Sequence, residues 1–101
     1  MTPAALAVLA ERKRQQAEAG WTLAHDDART ARQLAAAAAC HAWAASLSDR
    51  LRDTLAYRHP PFWPWAREWW RPAERRRELI KAGALILAEI ERLDRLTSSP
   101  P

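Results

Sequence analysis

The sequence predicts an all-α fold, and its composition carries most of that prediction. Ala accounts for 23 of the 49 hydrophobic residues, and the chain contains only two Gly. Ala is the strongest helix former, whereas hairpin turns need residues at positive φ and strands favour β-branched side chains. The chain of 101 residues has the size of one domain. We predict a single helical domain over residues 1–96, with three main helices, and a disordered C-terminal tail over residues 97–101.

The first helix is predicted over about residues 3–19. Thr2 is a favoured N-cap and Pro3 a favoured first-turn residue. Gly20 follows a run of good helix formers and predicts the end of the helix. Large apolar residues are few beyond the first turns, so we expect this helix to be the least stable one and to need Trp21 and Leu23 packed against its end.

A second helix is predicted from about residue 27 to residue 57, with Asp26 or Asp27 as its N-cap. Residues 27–57 contain no Gly or Pro. One apolar stripe is formed by Leu34, Ala38, His41 and Ala45, and another by Cys40, Trp43, Leu47, Leu51 and Leu55. Two stripes on one helix predict that it packs against both neighbouring helices.

The segment from His59 to Trp65 reads His-Pro-Pro-Phe-Trp-Pro-Trp and cannot be helical. Each Pro lacks an amide hydrogen and pushes the preceding residue towards an extended conformation. We predict an ordered, Pro- and Trp-rich connection.

The third helix is predicted over about residues 73–96, because Pro72 suits a first turn and an apolar residue recurs at helical spacing. The apolar positions are Leu79, Ala82 or Gly83, Ile86, Ile90 and Leu93. We expect this stripe to face the core. Gly83 costs about 1 kcal/mol against Ala in a helix, so it predicts a close crossing, expected against the Ala run of the second helix.

The chain carries a net charge of +4, and most of its 16 basic residues are Arg. Residues 67–81 hold six basic and three acidic residues, so much of the excess is local. This predicts an anionic partner. The lone Cys40 predicts a small buried residue and no disulfide. The sequence has neither a secretory signal pattern nor a membrane span, so we predict a cytoplasmic protein that does not contact membranes.

The first candidate cluster is the segment from Gly20 to Arg29, which includes Trp21, His25, Asp26 and Asp27. A His beside two carboxylates suits acid–base or metal chemistry, but adjacent residues at a helix start point in different directions. A helix cap with acids placed to suit the dipole is favoured. One Asp can cap while the other faces a pocket.

The second candidate cluster combines Trp63, Trp65, Trp69 and Trp70 with the basic residues of positions 67–81. Three consecutive Arg after Pro72 oppose the helix dipole unless acids or a bound anion offset them. Flat rings beside guanidinium groups also suit a nucleobase and its phosphates. The alternative is that at least two Trp pack in the core, while Arg76 and Arg77 pair with Glu74 and Glu78 on a solvated face.

Enzymatic function is not favoured. The chain lacks the Glu-Glu-x-x-Glu pattern of small all-α nucleotide pyrophosphohydrolases, and it has no phosphate-binding Gly loop or nucleophile elbow. We therefore predict a protein that is not an enzyme and has no cofactor.

Several blocks occur in a recognisable order: Glu11-Arg12, Gly20-Trp21-Thr22, Asp26-Asp27, the segment from His59 to Trp65, and a closing helix with Ala-Leu-Ile-Leu-Ala at positions 84–88. This order resembles the ryanodine-receptor repeat (RyR) domain, and the segment from His59 to Trp65 is the most specific match. The pattern also resembles small phage and prophage proteins with Gly-Trp-Thr, His-Asp-Asp, Trp-Pro-Trp and Trp-Trp blocks. The resemblance implies a phage-borne RyR-like module in the host cytoplasm that sequesters a nucleotide-derived host immune signal, such as a cyclic nucleotide or an ADP-ribose derivative.

Together these arguments predict a site for an anionic nucleotide-like ligand between the two clusters. Its expected residues are Trp21, His25, Asp26, Asp27, Trp63, Trp65, Arg71, Arg75, Arg76 and Lys81. A nucleic acid or a host protein remains the alternative partner. Because large apolar residues are few, we also predict a homodimer or larger homo-oligomer.

Overall fold

The computed structural model describes residues 1–17, 32–56 and 58–98, and within these ranges it is all-α and contains no strand. The helices are α1 (Pro3–Ala17), α2 (Gln33–Ser46), the short α3 (Asp49–Arg52) and α4 (Arg75–Ser98). Single 3₁₀ turns cover Asp53–Ala56 and Arg67–Trp69. The predicted fold class is confirmed, with α1, α2 and α4 as the three main helices.

Helix α1 begins as predicted, because the Thr2 hydroxyl accepts a hydrogen bond from the Ala5 amide at 3.1 Å. This contact satisfies one of the amides that lack a partner in the first turn. The described part of α1 ends at Ala17. The predicted end at Gly20 and the packing of Trp21 lie outside the described residues.

The prediction of one continuous helix over residues 27–57 is wrong. Helix α2 ends at Ser46, and Leu47 and Ser48 are extended, with ψ angles of 156° and 158°. The Ser48 hydroxyl then accepts a hydrogen bond from the Leu51 amide at 3.3 Å and caps α3. Ser followed by Asp is a helix-start signal, and here it interrupts an otherwise helical stretch.

Helix α4 is the central element of the described fold, because α1 and α2 each pack mainly against it. The second helix was expected to pack against both neighbouring helices, but its main packing partner is α4. Helix α4 continues to Ser98, two residues beyond its predicted end. Residues 99–101 lie outside the described residues.

The core lies between α2 and α4 and is built largely from small side chains. Ala37, Ala38 and Ala44 of α2 meet Leu85 and Ala88 of α4, and all are almost fully buried. Cys40 is buried among them, as predicted, and burial raises the pKa of its thiol to about 12. Small residues let the two helices approach closely.

Apart from Ala82, which is buried as predicted, the core stripe predicted for α4 faces outward. Leu79, Ile86, Ile90 and Leu93 are each about half exposed, at 47–51%. The buried positions of the helix are Glu78, Ile80, Ala82, Ala84, Leu85 and Ala88. The prediction failed because Ala, a paired carboxylate and only two large aliphatic residues, Ile80 and Leu85, fill the buried positions, while four others lie outside.

Gly83 does mark a close crossing, but its partner is α1 and not the Ala run of α2. A Cβ atom built on Gly83 would lie 3.1 Å from a methyl carbon of Val8. The position therefore leaves little room for a side chain where α1 crosses α4.

Two ion pairs join α1 to α4, and their partners on α1, Glu11 and Arg12, are adjacent residues. Arg12 donates to Glu91 at 3.1 Å, whereas Glu11 accepts from Arg77 and from Arg14, the latter at 2.8 Å. Glu11 is almost fully buried. Burial is the largest influence on the pKa of Glu11 and acts to raise it, but the Arg14 and Arg77 guanidinium groups together hold that pKa below its usual value. The Glu11-Arg12 pair thus anchors α1 towards both ends of α4.

Among the described helices, none combines the length and the apolar character that crossing a membrane requires.

Candidate functional site

The chain between α3 and α4, which includes the Pro- and Trp-rich segment, folds over the core and places two Trp rings in it. The Trp63 amide donates to the Pro60 carbonyl at 3.1 Å, which closes a turn, and the Trp63 indole donates to the Ala66 carbonyl at 3.1 Å. Trp63 and Trp70 are buried, and their ring centroids lie 5.0 Å apart. The alternative that at least two of these Trp pack in the core is confirmed.

His41 of α2 lies against these rings. Its imidazole stacks on Trp70 with centroids 5.1 Å apart and meets Trp63 edge-on at 5.5 Å. The His41 Nδ1 atom lies 2.6 Å from the Glu78 Oε2 atom, and both side chains are buried. A polar pair of this kind fixes one arrangement of the two helices, because either partner alone would be left unsatisfied in the core.

Glu78 also completes the start of α4. Its Oε1 atom accepts a hydrogen bond from the Ala73 amide at 2.5 Å, just before the helix begins. Glu78 has no exposed surface. The alternative that placed Glu78 on a solvated face, paired with Arg76 or Arg77, is therefore wrong. Its place on the same helical face as Ala82 and Leu85 carries it into the core.

An open cleft of about 610 Å³ lies beside this buried pair, between α3 and the start of α4. Its walls include the apolar residues Ala44, Pro72 and Ala73. Its polar lining is formed by Asp49, Arg52, Asp53, Glu74, Arg75, Arg76 and Glu78. The cleft exists because the chain turns at Leu47 and Ser48, which brings α3 back against α4.

The three consecutive Arg at the start of α4 have three different environments. Arg75 donates to the Ala45 carbonyl at 2.9 Å and the Leu47 carbonyl at 3.0 Å, and to Asp49 at 3.1 Å. It thus caps the end of α2. Arg77 pairs with Glu11 of α1. Arg76 is exposed, and no described residue provides it with a partner.

Arg52 forms the opposite wall of the cleft. Its Nη2 atom donates to the Ala73 carbonyl, which ties α3 to the start of α4. Its Nη1 atom is buried and has no acceptor among the described residues. A guanidinium is ionised at any physiological pH, so a buried donor atom without an acceptor carries a desolvation cost.

The cleft has a mixed electrostatic character, with three guanidinium groups and four carboxylates. The amides of the first turn of α4 add a further positive potential, because such amides have no acceptor within the helix. This arrangement suits a ligand that combines an anionic group with hydrogen-bond donors. Guanidinium groups and helix amides bind the anion, and carboxylates accept from hydroxyl or amino groups.

The structure brings only part of the predicted site to this cleft. Arg75 and Arg76 line it. Trp63 lies in the core behind it, and Trp65 packs on that core with its indole donating to Gln33 at 3.4 Å. The remaining predicted residues, Trp21, His25, Asp26 and Asp27, lie outside the described residues.

Arg71 and Lys81 contact each other outside the lining of the cleft. The Lys81 ammonium donates to the Arg71 carbonyl at 3.0 Å. Burial lowers the pKa of Lys81 most, although the nearby Glu78 carboxylate acts in the opposite direction. Lys81 therefore supports the segment that leads into α4.

The cleft includes three residues that the sequence interpretation missed: Asp49, Arg52 and Asp53. They were assigned to the far end of one long helix. The Ser48-Asp49 start signal could have identified them, because it predicts a break and a change of chain direction at this point. The pairing of His41 with Glu78 had a weaker signal, a polar residue within an apolar stripe.

Within the described ranges, no three His, Cys, Asp or Glu side chains are grouped closely enough to hold a metal ion. Comparisons with family models, curated proteins and solved structures gave no match to this chain.

Proposed function

We propose that this chain binds an anionic, nucleotide-like small molecule in the cleft between α3 and α4, without converting it. The observation that carries the proposal is the Arg52 Nη1 atom, a buried ionised donor without a described acceptor, in the same cleft as Arg76, which has no partner among the described residues. A phosphate group in the cleft would pair with Arg76, and a turn of the Arg52 side chain would bring its Nη1 donor to the same group. The first-turn amides of α4 add to the same attraction.

The carboxylates of the cleft argue for a nucleotide over a simple inorganic anion. Asp53 and Glu74 are exposed at its rim, and Asp49 is 90% exposed although it pairs with Arg75. These groups would repel a compact polyanion but accept hydrogen bonds from ribose hydroxyls or a base amino group. Asp49, Asp53 and Glu74 would thus act alongside Asp26 and Asp27, the acids of the site predicted from the sequence.

The biological role follows from the resemblance to RyR domains and phage proteins together with this chemistry. A small cytoplasmic protein that binds a nucleotide-derived signal and returns it unchanged would act by sequestration. We propose that the signal is a host immune messenger, a cyclic nucleotide or an ADP-ribose derivative, and that its removal counteracts anti-phage defence.

The test is a calorimetric screen of cyclic nucleotides and ADP-ribose derivatives with Arg76→Ala. Loss of one charge-assisted contact should weaken binding by about 2 kcal/mol, roughly a 30-fold change in Kd. Arg76 has no described intramolecular partner, so helix content and thermal stability should not change. Arg50→Ala is the matched control, because Arg50 is exposed on α3 and does not line the cleft.

Equal binding by wild type and Arg76→Ala for every ligand in the screen would contradict the proposal. Mass spectrometry of the ligand released on denaturation should show the compound that was added. A hydrolysed product would contradict the proposed absence of catalysis.

A salt titration separates this function from nucleic-acid binding, the alternative partner. A protein that neutralises several phosphates of a strand loses affinity by orders of magnitude between low and physiological salt. A cleft that holds one nucleotide should lose much less. Steep salt dependence with a single-stranded oligonucleotide, together with no nucleotide binding, would favour the alternative.

A further inference from the structure

The outward face of α2 carries no charge. Its exposed residues are Ala35, Ala39, Ala42, Trp43 and Ser46. A solvent-facing helix ordinarily carries charged or strongly polar residues on its outer face. Helix α2 has none over its 14 residues apart from Gln33 at its start and His41 in the core.

The outward face of α4 continues this apolar surface. A groove of about 250 Å³ runs between the two helices, lined by alanines of α2 together with Ile86, Glu89 and Ile90. Leu79 and Leu93 extend the same face of α4 in both directions. All four large aliphatic residues of this face are about half exposed.

The spacing of the outward residues on α4 is that of a helix-pairing seam. Positions 79, 86, 90 and 93 hold Leu or Ile at steps of seven, four and three residues, whereas Gly83, on the edge of this stripe, packs against Val8 of α1. Steps of four and three place side chains along one line on a helix and are typical of paired helices. Leu79 and Leu93 each lie seven residues from Ile86, so this outer pair is symmetric about it.

We propose that this surface, the outward faces of α2 and α4, binds a second copy of the same chain through antiparallel pairing of α4. A two-fold axis near Ile86 would place Leu79 of each copy beside the partner's Leu93. The Ala residues of α2 would let the partner approach closely, and the groove would receive its branched side chains.

The size of the surface is consistent with binding a second copy of the chain. Four half-exposed aliphatic side chains and three alanines present on the order of 500 Å² of apolar surface, at the upper end of what a monomer ordinarily exposes. A stable dimer buries about 800 Å² per partner, so this surface would supply the centre of an interface with a polar rim. The inference is independent of the ligand cleft, and either can fail without the other.

The experiment measures mass by analytical ultracentrifugation between about 1 and 100 μM, the range in which an interface of this size is expected to associate. Wild type should sediment as a dimer. Ile86→Glu should raise the dimer Kd by about 100-fold or more, because the axis brings two like charges together. Leu51→Glu is the matched control, since Leu51 is 53% exposed and Ile86 48%, but Leu51 lies on α3 outside the surface.

Two further variants keep the test decisive if Ile86→Glu does not fold. Ala39→Glu places a charge on the α2 side of the surface and should also give monomers. Ile86→Cys should form an intermolecular disulfide under mild oxidation, since the axis places the two thiols close together. Leu51→Cys should not do so. Cys40 will not interfere, because it is buried.

Three results would overturn the proposal. The first is a wild-type monomer at 100 μM, about the top of the range in which such an interface should form. The second is a dimer that persists in both Ile86→Glu and Ala39→Glu. The third is a wild-type monomer that sediments with anionic phospholipid vesicles and loses this binding in Ile86→Glu, which would assign the surface to a membrane.

Discussion

The two faces of α4 differ less in hydrophobicity than those of an ordinary amphipathic helix. The inward face buries Glu78 together with Ala82, Leu85 and Ala88, whereas the outward face exposes large aliphatic residues. The inward face is held by close approach and by one polar pair, since Glu78 contacts His41 at 2.6 Å. The comparison shows that side-chain size and complementarity decide which face is buried, and hydrophobicity alone does not.

The largest expected effect comes from the polar pair on the inward face. Glu78→Ala should destabilise the fold by about 3–5 kcal/mol, because it leaves His41 and the Ala73 amide without their buried partner. Denaturant unfolding measures this change. Glu74→Ala, at an exposed carboxylate of the same segment, should change stability by less than about 0.5 kcal/mol. Similar losses for both variants would contradict the contrast between buried and exposed acids.

Adjacent residues of α4 give the most direct comparison of the two faces. Leu85 is 1% exposed and Ile86 is 48% exposed. Leu85→Ala should cost about 2–5 kcal/mol, the range for a cavity in a core, and Ile86→Ala about 1 kcal/mol or less. The measurement should be made at low protein concentration, so that self-association does not add to the apparent stability. A larger loss at Ile86 than at Leu85 would reverse the assignment of the faces.

The smallest effect is expected at Gly83, at the crossing with α1. Gly83→Ala gains up to about 1 kcal/mol of helix propensity, but the new methyl group must displace Val8 by a few tenths of an ångström. The two effects should nearly cancel, giving a net change within about 1 kcal/mol in thermal unfolding. Gly83→Ala should be better tolerated in a protein that also carries Val8→Ala, because the smaller residue 8 leaves room for the added methyl group. A loss of several kcal/mol from Gly83→Ala would indicate a tighter crossing.

Local rules predicted much of this fold. Composition gave the all-α class, and Thr2 and Pro72 marked helix starts within a few residues of the observed ones. The stripe of Leu34, Ala38, His41 and Ala45 is buried as expected. These features depend on neighbouring residues, which a sequence displays directly.

The missed features depend on contacts between distant segments. Arg75 caps α2 from across the cleft, and Glu78 finds its partner 37 residues away. The face of α4 was assigned from apolar size, a rule that fails when the facing helix is made of Ala. Three of the ten residues that line the cleft, Asp49, Arg52 and Asp53, were missed for a single reason, the undetected break at Ser48.

The contacts of α1 also have a consequence for the order in which the fold can assemble. The pair that joins α2 to α4 spans 37 residues, whereas the pairs that join α1 to α4 span 66 and 79 residues. Each doubling of such a loop adds only about 0.6 kcal/mol to the entropy of closing it. The greater difference is that, among the described helices, α1 packs mainly against α4. Its docking is therefore entropically cheapest as a late event, on a pair of helices that has already formed.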